Sequence, residues 1–427
     1  MKHTVEEIRL RNGAKGLLIH VPNTNVMNFD LEFRAGHYLV DRKKWETPHL
    51  MEHMVFGANQ QYPSVREFSA EFEKNGAYNN ASTDVYSLHY LAECADFEWQ
   101  RIMELLLISV SKPLFVENEF KSEYGNVREE MISRSNDNFR FLYQKLAIGS
   151  GYISLTDKER VKLMSNVGLD DLKNHFKKTH TTNNLRFIIT GNMHGRRKKI
   201  KQMLESLPLP KGERFELPKQ KIHGLKDVMY IRRPSVKNIY YSLDMFIDEP
   251  VSRHEESVLS LLNVLLGERE NSLIYGQARE RGLSYYVEIA HAAGLDNLNW
   301  GISGQVSVEN SEELFRLMKT QLDSLRSGNL SQSDLRSAKH YFIGALQISL
   351  QTMNRLTSLY GRRYFLDEEI RSLNDIPEEI DAITKEDVVD MIGKLFEKKM
   401  WGMGALGNCG IAYARNLRDI VEPLWEN

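Results

Sequence analysis

Apolar positions change their spacing repeatedly along this chain, and each change marks an element. Residues 16–21 and 26–33 alternate in the manner of strands. Residues 47–55 switch to helical spacing. Pro63 and Ser64 open a second helix, with Phe68 and Phe72 one turn apart on one face, and Asn75-Gly76 closes it. Residues 81–92 read as a strand and 96–107 as a helix stopped at Lys112-Pro113. A long helix follows over 116–134, and 185–191 form a strand ending in a turn.

Two Pro-rich polar stretches, Leu207-Pro208-Leu209-Pro210-Lys211-Gly212-Glu213 and Leu217-Pro218-Lys219, read as a linker. The expected domains are 1–213 and 226–427, joined by 214–225. The second half repeats the first. Residues 238–246 resemble the strand at 26–33. The helix at 257–267 ends in Leu265-Leu266-Gly267, as the helix at 47–55 runs into Val55-Phe56-Gly57. Residues 330–336 parallel 115–121. The expected class is α+β: two similar α/β sandwich domains, each an antiparallel-rich sheet with helices.

Composition narrows the function. A length of 427 residues suits two domains, and 41% hydrophobic residues can fill two cores. A net charge of -2 gives no nucleic-acid footprint. No run of about eighteen apolar residues predicts a membrane span, and the N-terminal residues show no secretory h-region. The two cysteines, Cys94 and Cys409, suit a reducing compartment and argue against both a disulfide framework and a thiolate-bound metal. The expected location is the cytoplasm.

The chemistry concentrates in Thr47-Pro48-His49-Leu50-Met51-Glu52-His53-Met54. On a helix, His49 and His53 stand one turn apart and can grip one Zn²⁺. Glu52 lies on the same side and can reach the attacking water as a general base without ligating the metal. This H-x-x-E-H order marks the inverzincins. A catalytic zinc needs a third protein ligand. The helix from Val116 offers Glu117, Glu119, Glu123, Glu129 and Glu130. Glu123 and Glu130 lie two turns apart on one face, and spacing alone does not choose between them.

With these residues in view, the chain resembles the pitrilysin/insulinase-type zinc peptidases, which include the mitochondrial processing peptidases. That family places a glutamate ligand 77 positions beyond the second histidine, which here is Glu130, and a supporting glutamate seven residues earlier, here Glu123. Residues 76–83 resemble the family's G-G-x-x-N-A-x-T strand, with Tyr90 at its aromatic position. The resemblance implies that Asn80, Ala81 and Thr83 lie on an edge strand that takes a peptide by β-augmentation. Residues 182–192 resemble the segment that ends the family's first domain. Residues 272–285 resemble S-R-L-F-x-x-L-R-E-x-x-G-L-x-Y, implying that Arg279 and Tyr285 steady the oxyanion. They are six residues apart where the family has seven, and Tyr286 is the alternative.

Aligning the repeats sets Leu259, Leu262 and Asn263 opposite His49, Glu52 and His53, and Ala338 and Ala345 opposite Glu123 and Glu130. One zinc per chain is therefore expected. His89, His175 and His180 read as structural or solvated. The resemblance further implies half of a clamshell chamber, completed by a homodimer or by a heterodimer with a similar chain. The expected function is a zinc-dependent endopeptidase acting on peptides or unfolded segments. The alternative is a non-catalytic or partner-dependent structural subunit of a peptidase complex.

Overall fold

The computed structural model describes residues 1–426 and resolves into two units. In chain order its helices begin with α1 (Thr47–Val55), α2 (Val65–Glu73), α3 (Trp99–Ser111), α4 (Glu117–Arg134) and α5 (Asn138–Gly149). Then come α6 (Asp157–Leu163), α7 (Leu169–Thr179), α8 (Arg197–Glu205), α9 (Arg253–Asn263), α10 (Tyr275–Glu280), α11 (Val308–Arg326), α12 (Gln332–Ser349) and α13 (Met353–Asp367). No helix among the described residues is long and apolar enough to cross a membrane.

Unit 1 holds residues 1–134, 157–218 and 349–371. Its sheet contains β1 (Thr4–Arg9), β2 (Lys15–His20), β3 (Val26–Phe33), β4 (Tyr78–Thr83), β5 (Leu88–Ala95) and β6 (Leu185–Gly191), in the order β1-β2-β6-β3-β5-β4. Only β2 and β6 run parallel. The strand expected over 81–92 is in fact a hairpin, with Thr83 opposite Leu88. The Asp84 carboxylate accepts from the backbone N–H of Tyr86 at 2.6 Å and of Ser87 at 2.7 Å. That local bond reverses the chain, which apolar alternation cannot reveal.

Unit 2 holds residues 135–156 and 219–348 and the described residues from 372 onward. Its strands are β7 (Met229–Arg232), β8 (Ile239–Ile247), β9 (Tyr286–Ala293), β10 (Leu298–Val306) and β11 (Trp401–Gly407), in the order β7-β11-β8-β10-β9. Again the first pair is parallel and the rest antiparallel. The same order and the same signs recur in β2-β6-β3-β5-β4. The repeat in the sequence is thus a repeat of topology.

The stretch between α8 and β7 carries no regular element. Two helices depart from the contiguous halves 1–213 and 226–427: α5 belongs to unit 2 and α13 to unit 1. Packing explains both. Leu142 and Leu146 of α5 bury themselves with Leu406 of β11. A Cβ at Gly404 would come within 2.7 Å of the Leu146 side-chain end and 2.8 Å of that of Leu142, so these leucines would have to shift to admit a side chain. Helix α13 buries Leu356, Tyr360 and Tyr364, and Thr357 shares a 2.7 Å hydrogen bond with Thr190 of β6.

Helix α13 ends at Glu368, whose φ is 65°. Its carboxylate meets Lys15 of β2 at 2.6 Å and Arg186 Nε of β6 at 2.7 Å. Burial raises the carboxyl pKa, but these cations outweigh it and hold it at about 2, below the ordinary 4.5. A depressed carboxyl stabilises the fold above its ordinary pKa and loses that contribution as pH falls through the folded value. Glu368→Gln is therefore expected to cost about 2 kcal/mol near pH 7. The deficit should shrink between pH 4.5 and about 2. Urea unfolding of wild type and variant across this range measures it.

Candidate metal centre

Helix α1 begins with Pro48 in its first turn, where the missing N–H leaves no bond unmade. Leu50, Met51, Met54 and Val55 enter the unit 1 core. Their burial leaves His49, Glu52 and His53 on the flank that meets α4. Helix α4 buries only Val127 and Met131, and its glutamates divide accordingly. Glu117 and Glu129 are exposed, Glu129 beside Arg128 at 2.9 Å. Glu119 accepts from the Ala58 N–H at 3.0 Å. Glu123 and Glu130 turn to the two histidines.

Glu130 Oε2 stands 3.4 Å from His49 Nε2 and 3.6 Å from His53 Nε2. Ligand atoms of the three residues all lie within 4.8 Å of one another, and they form the one such His/Cys/Asp/Glu group identified among the described residues. Donors around a tetrahedral ion with bonds near 2.0–2.1 Å are about 3.3 Å apart, close to both Glu130–histidine separations, so this set could hold zinc. The other ring nitrogens are committed. His49 Nδ1 is 3.1 Å from Glu46 and His53 Nδ1 is 2.9 Å from Glu123. Carboxylates at both Nδ1 positions leave both Nε2 atoms for an ion.

The electrostatics agree with that geometry. Burial lowers the pKa of His53, but hydrogen bonds to Glu123 and Glu130 outweigh it and raise it to about 9. The same contest, with Glu130 and Glu46, raises His49. Hydrogen bonds from His49 and His53 hold Glu130 well below the usual carboxylate range. In the metal-free protein the trio is thus a compact histidine–carboxylate cluster that favours protonated histidines, so a metal competes with protons for the site.

Glu52 receives a hydrogen bond from Thr83 Oγ1 of β4. Strand β4 is the outer strand of its sheet, with Tyr78, Asn80 and Ser82 exposed. Asn80 Oδ1 accepts from the Ala81 N–H at 2.9 Å, and Ala81 packs on the core. Thr83 is the last residue of β4, and its hydroxyl bond to Glu52 leaves its main chain in the strand. Tyr90 is fully buried and bonds His180 Nε2 at 3.1 Å. His175 and His180 are buried and structural, and His89 sits 3.6 Å from Asp30.

In unit 2 the Arg279 guanidinium lies 5.3 Å from the Tyr285 ring centre. Arg279 also donates to Tyr275 at 2.9 Å and pairs with Glu270 at 3.2 Å. Tyr286 donates instead to Glu288 at 2.7 Å. The pair brought together is thus Arg279 and Tyr285, despite the six-residue spacing. Leu259 and Leu262 are core residues, and Asn263 accepts from Trp300 Nε1 at 2.9 Å. Ala338 is buried and Ala345 exposed.

Two residues of the site went unread in the sequence. Glu46 is fully buried beside His49, and Arg160 of α6 grips it with Nε at 2.6 Å and Nη2 at 2.9 Å. Burial raises the Glu46 pKa, but His49 and Arg160 outweigh it and hold it at about 2. The i, i+3 step from Glu46 to His49 is a signal that could have found the first. Arg160 is 114 residues away and carries none.

Two family models match the chain. Residues 16–146 match "Insulinase (Peptidase family M16)" and residues 166–342 match "Peptidase M16 inactive domain". A Bacillus subtilis protein described as an uncharacterized zinc protease, YmxG, is 24% identical over 92% of this chain and 96% of its own length. The beta subunit of the mitochondrial-processing peptidase of Saccharomyces cerevisiae is 20% identical over 94% of this chain and 90% of its own. The crystal structure of a peptidase M16 inactive domain from Pseudomonas fluorescens shares the fold at a TM-score of 0.83, with 17% identity, covering 95% of this chain and 98% of that one. His49, Glu52, His53, Glu123 and Glu130 all fall inside the first matched region. The two-unit α/β fold, the paired matches and these relatives show that the chain belongs to the insulinase-type M16 peptidase family.

Proposed function

We propose that the protein is a zinc-dependent endopeptidase whose active centre is His49, His53, Glu130 and Glu52. The observation that carries this reading is the convergence of His49 Nε2, His53 Nε2 and Glu130 Oε2, with both Nδ1 atoms held by carboxylates. His49, His53 and Glu130 would hold one zinc per chain, which supplies Lewis acidity for carbonyl polarisation and water activation. Glu52, steadied by Thr83, takes a proton from the attacking water and hands it to the leaving amine. Glu123 orients His53. The outer edge of β4, along Asn80, Ala81 and Thr83, receives an extended peptide through main-chain hydrogen bonds. By the family resemblance, Arg279 and Tyr285 are the pair to steady the oxyanion. A second similar chain is the partner this reading calls for, as the name of the yeast relative, a subunit, suggests.

A non-catalytic subunit is the second reading, favoured by the word "inactive" in the name of the domain family matched over 166–342. Cleavage of a quenched peptide library separates the two. The peptidase reading expects turnover that stops on chelation and returns with one equivalent of zinc. A zinc-loaded protein that cleaves no peptide, alone or with a similar chain added, would favour the subunit.

A further inference from the structure

The two histidines are supported in different ways. His53 is about a quarter exposed, and so is Glu123 behind it. His49 is nearly buried, and Glu46 behind it has no exposure at all. An ionised carboxylate in such a place costs several kcal/mol unless it is paired. Arg160, itself only 10% exposed, supplies the pair through two parallel N–H···O contacts, and Asp157 lies 3.6 Å from its Nη1. This two-pronged grip fixes the plane of the carboxylate as well as its charge. Glu46 sits at the residue before α1, and Arg160 is on α6, so the contact ties the start of the motif helix to a separate helix. Neither residue belongs to the H-x-x-E-H motif or to the Glu123/Glu130 pair.

We propose that the buried Arg160–Glu46 ion pair is a positioning device that sets the zinc affinity of this site through His49. Glu46 accepts the Nδ1 proton of His49, which fixes the tautomer and aims Nε2 at the ion. Arg160 holds Glu46 in that pose and prevents it from turning toward the ion as a competing ligand. Both are positioning residues, since neither touches the ion or the reacting atoms. The proposal rests on the zinc reading above.

The test measures zinc affinity by competition with a chromophoric chelator, and thermal stability of the metal-free protein, for four full-length proteins: wild type, Glu46→Gln, Arg160→Met and the double variant. Glu46→Gln is expected to weaken zinc binding about 10- to 100-fold. Arg160→Met leaves a buried charge unpaired, so it should lower metal-free stability most and weaken zinc as well. The double variant removes both charges. It should recover much of that stability while keeping the weak zinc binding of Glu46→Gln. If Arg160→Met fails to fold, the double variant carries the test. Zinc affinity within twofold of wild type in Glu46→Gln and in the double variant overturns the proposal and leaves the pair a purely structural one. A wild type that binds no zinc overturns the zinc reading itself, a different outcome.

Discussion

Glu52→Gln is expected to lower kcat/KM for peptide cleavage by about 10³- to 10⁴-fold, some 4–5 kcal/mol of transition-state stabilisation. The substitution is nearly isosteric. The amide oxygen can keep the hydrogen bond from Thr83, so the side chain stays in place. It cannot take up a proton, so water is no longer deprotonated as it attacks. Glu52 is not among the three converging side chains, so under the proposed reading zinc content should stay at one per chain. The paired readings matter: lost activity with retained zinc identifies a base, whereas loss of both would mean a collapsed site. A variant retaining activity within tenfold of wild type would remove Glu52 from the mechanism.

The second large effect is expected at Glu130. Its carboxylate faces both Nε2 atoms and is itself steadied by Arg134 at 2.5 Å. Glu130→Gln removes the anionic member of the ligand set while leaving both histidines aimed. Losing one charged partner from a partly buried cluster costs about 3–5 kcal/mol, so zinc affinity should fall roughly a thousandfold. Thermal unfolding gives an independent reading. Zinc at 100 times its Kd should stabilise the wild type by about 2.7 kcal/mol, and the same zinc concentration should leave the variant almost unmoved. A zinc-induced shift equal to wild type would exclude Glu130 as a ligand.

Much of this was legible in the sequence, because it is encoded over short distances. Helical spacing across 47–55 placed His49, Glu52 and His53 on one face, and α1 spans those residues. Strand alternation placed β2, β3 and β6, and the resemblance between halves foretold one topology built twice. Among five glutamates on one helix, spacing set Glu123 and Glu130 apart, and the family resemblance chose Glu130 as the ligand with Glu123 behind it. Packing against α1 gives the physical ground, turning those two inward while Glu117 and Glu129 face solvent. Tertiary structure alone decided the rest. It broke 81–92 into a hairpin through a side-chain bond at Asp84, placed α5 in one unit and α13 in the other, and gave the Thr83 hydroxyl to Glu52. It also brought Arg160 to Glu46 across 114 residues. A period of two or 3.6 residues records which face of an element is buried, but not which distant element covers it. That choice is made when the core closes, and the support behind His49 was settled there.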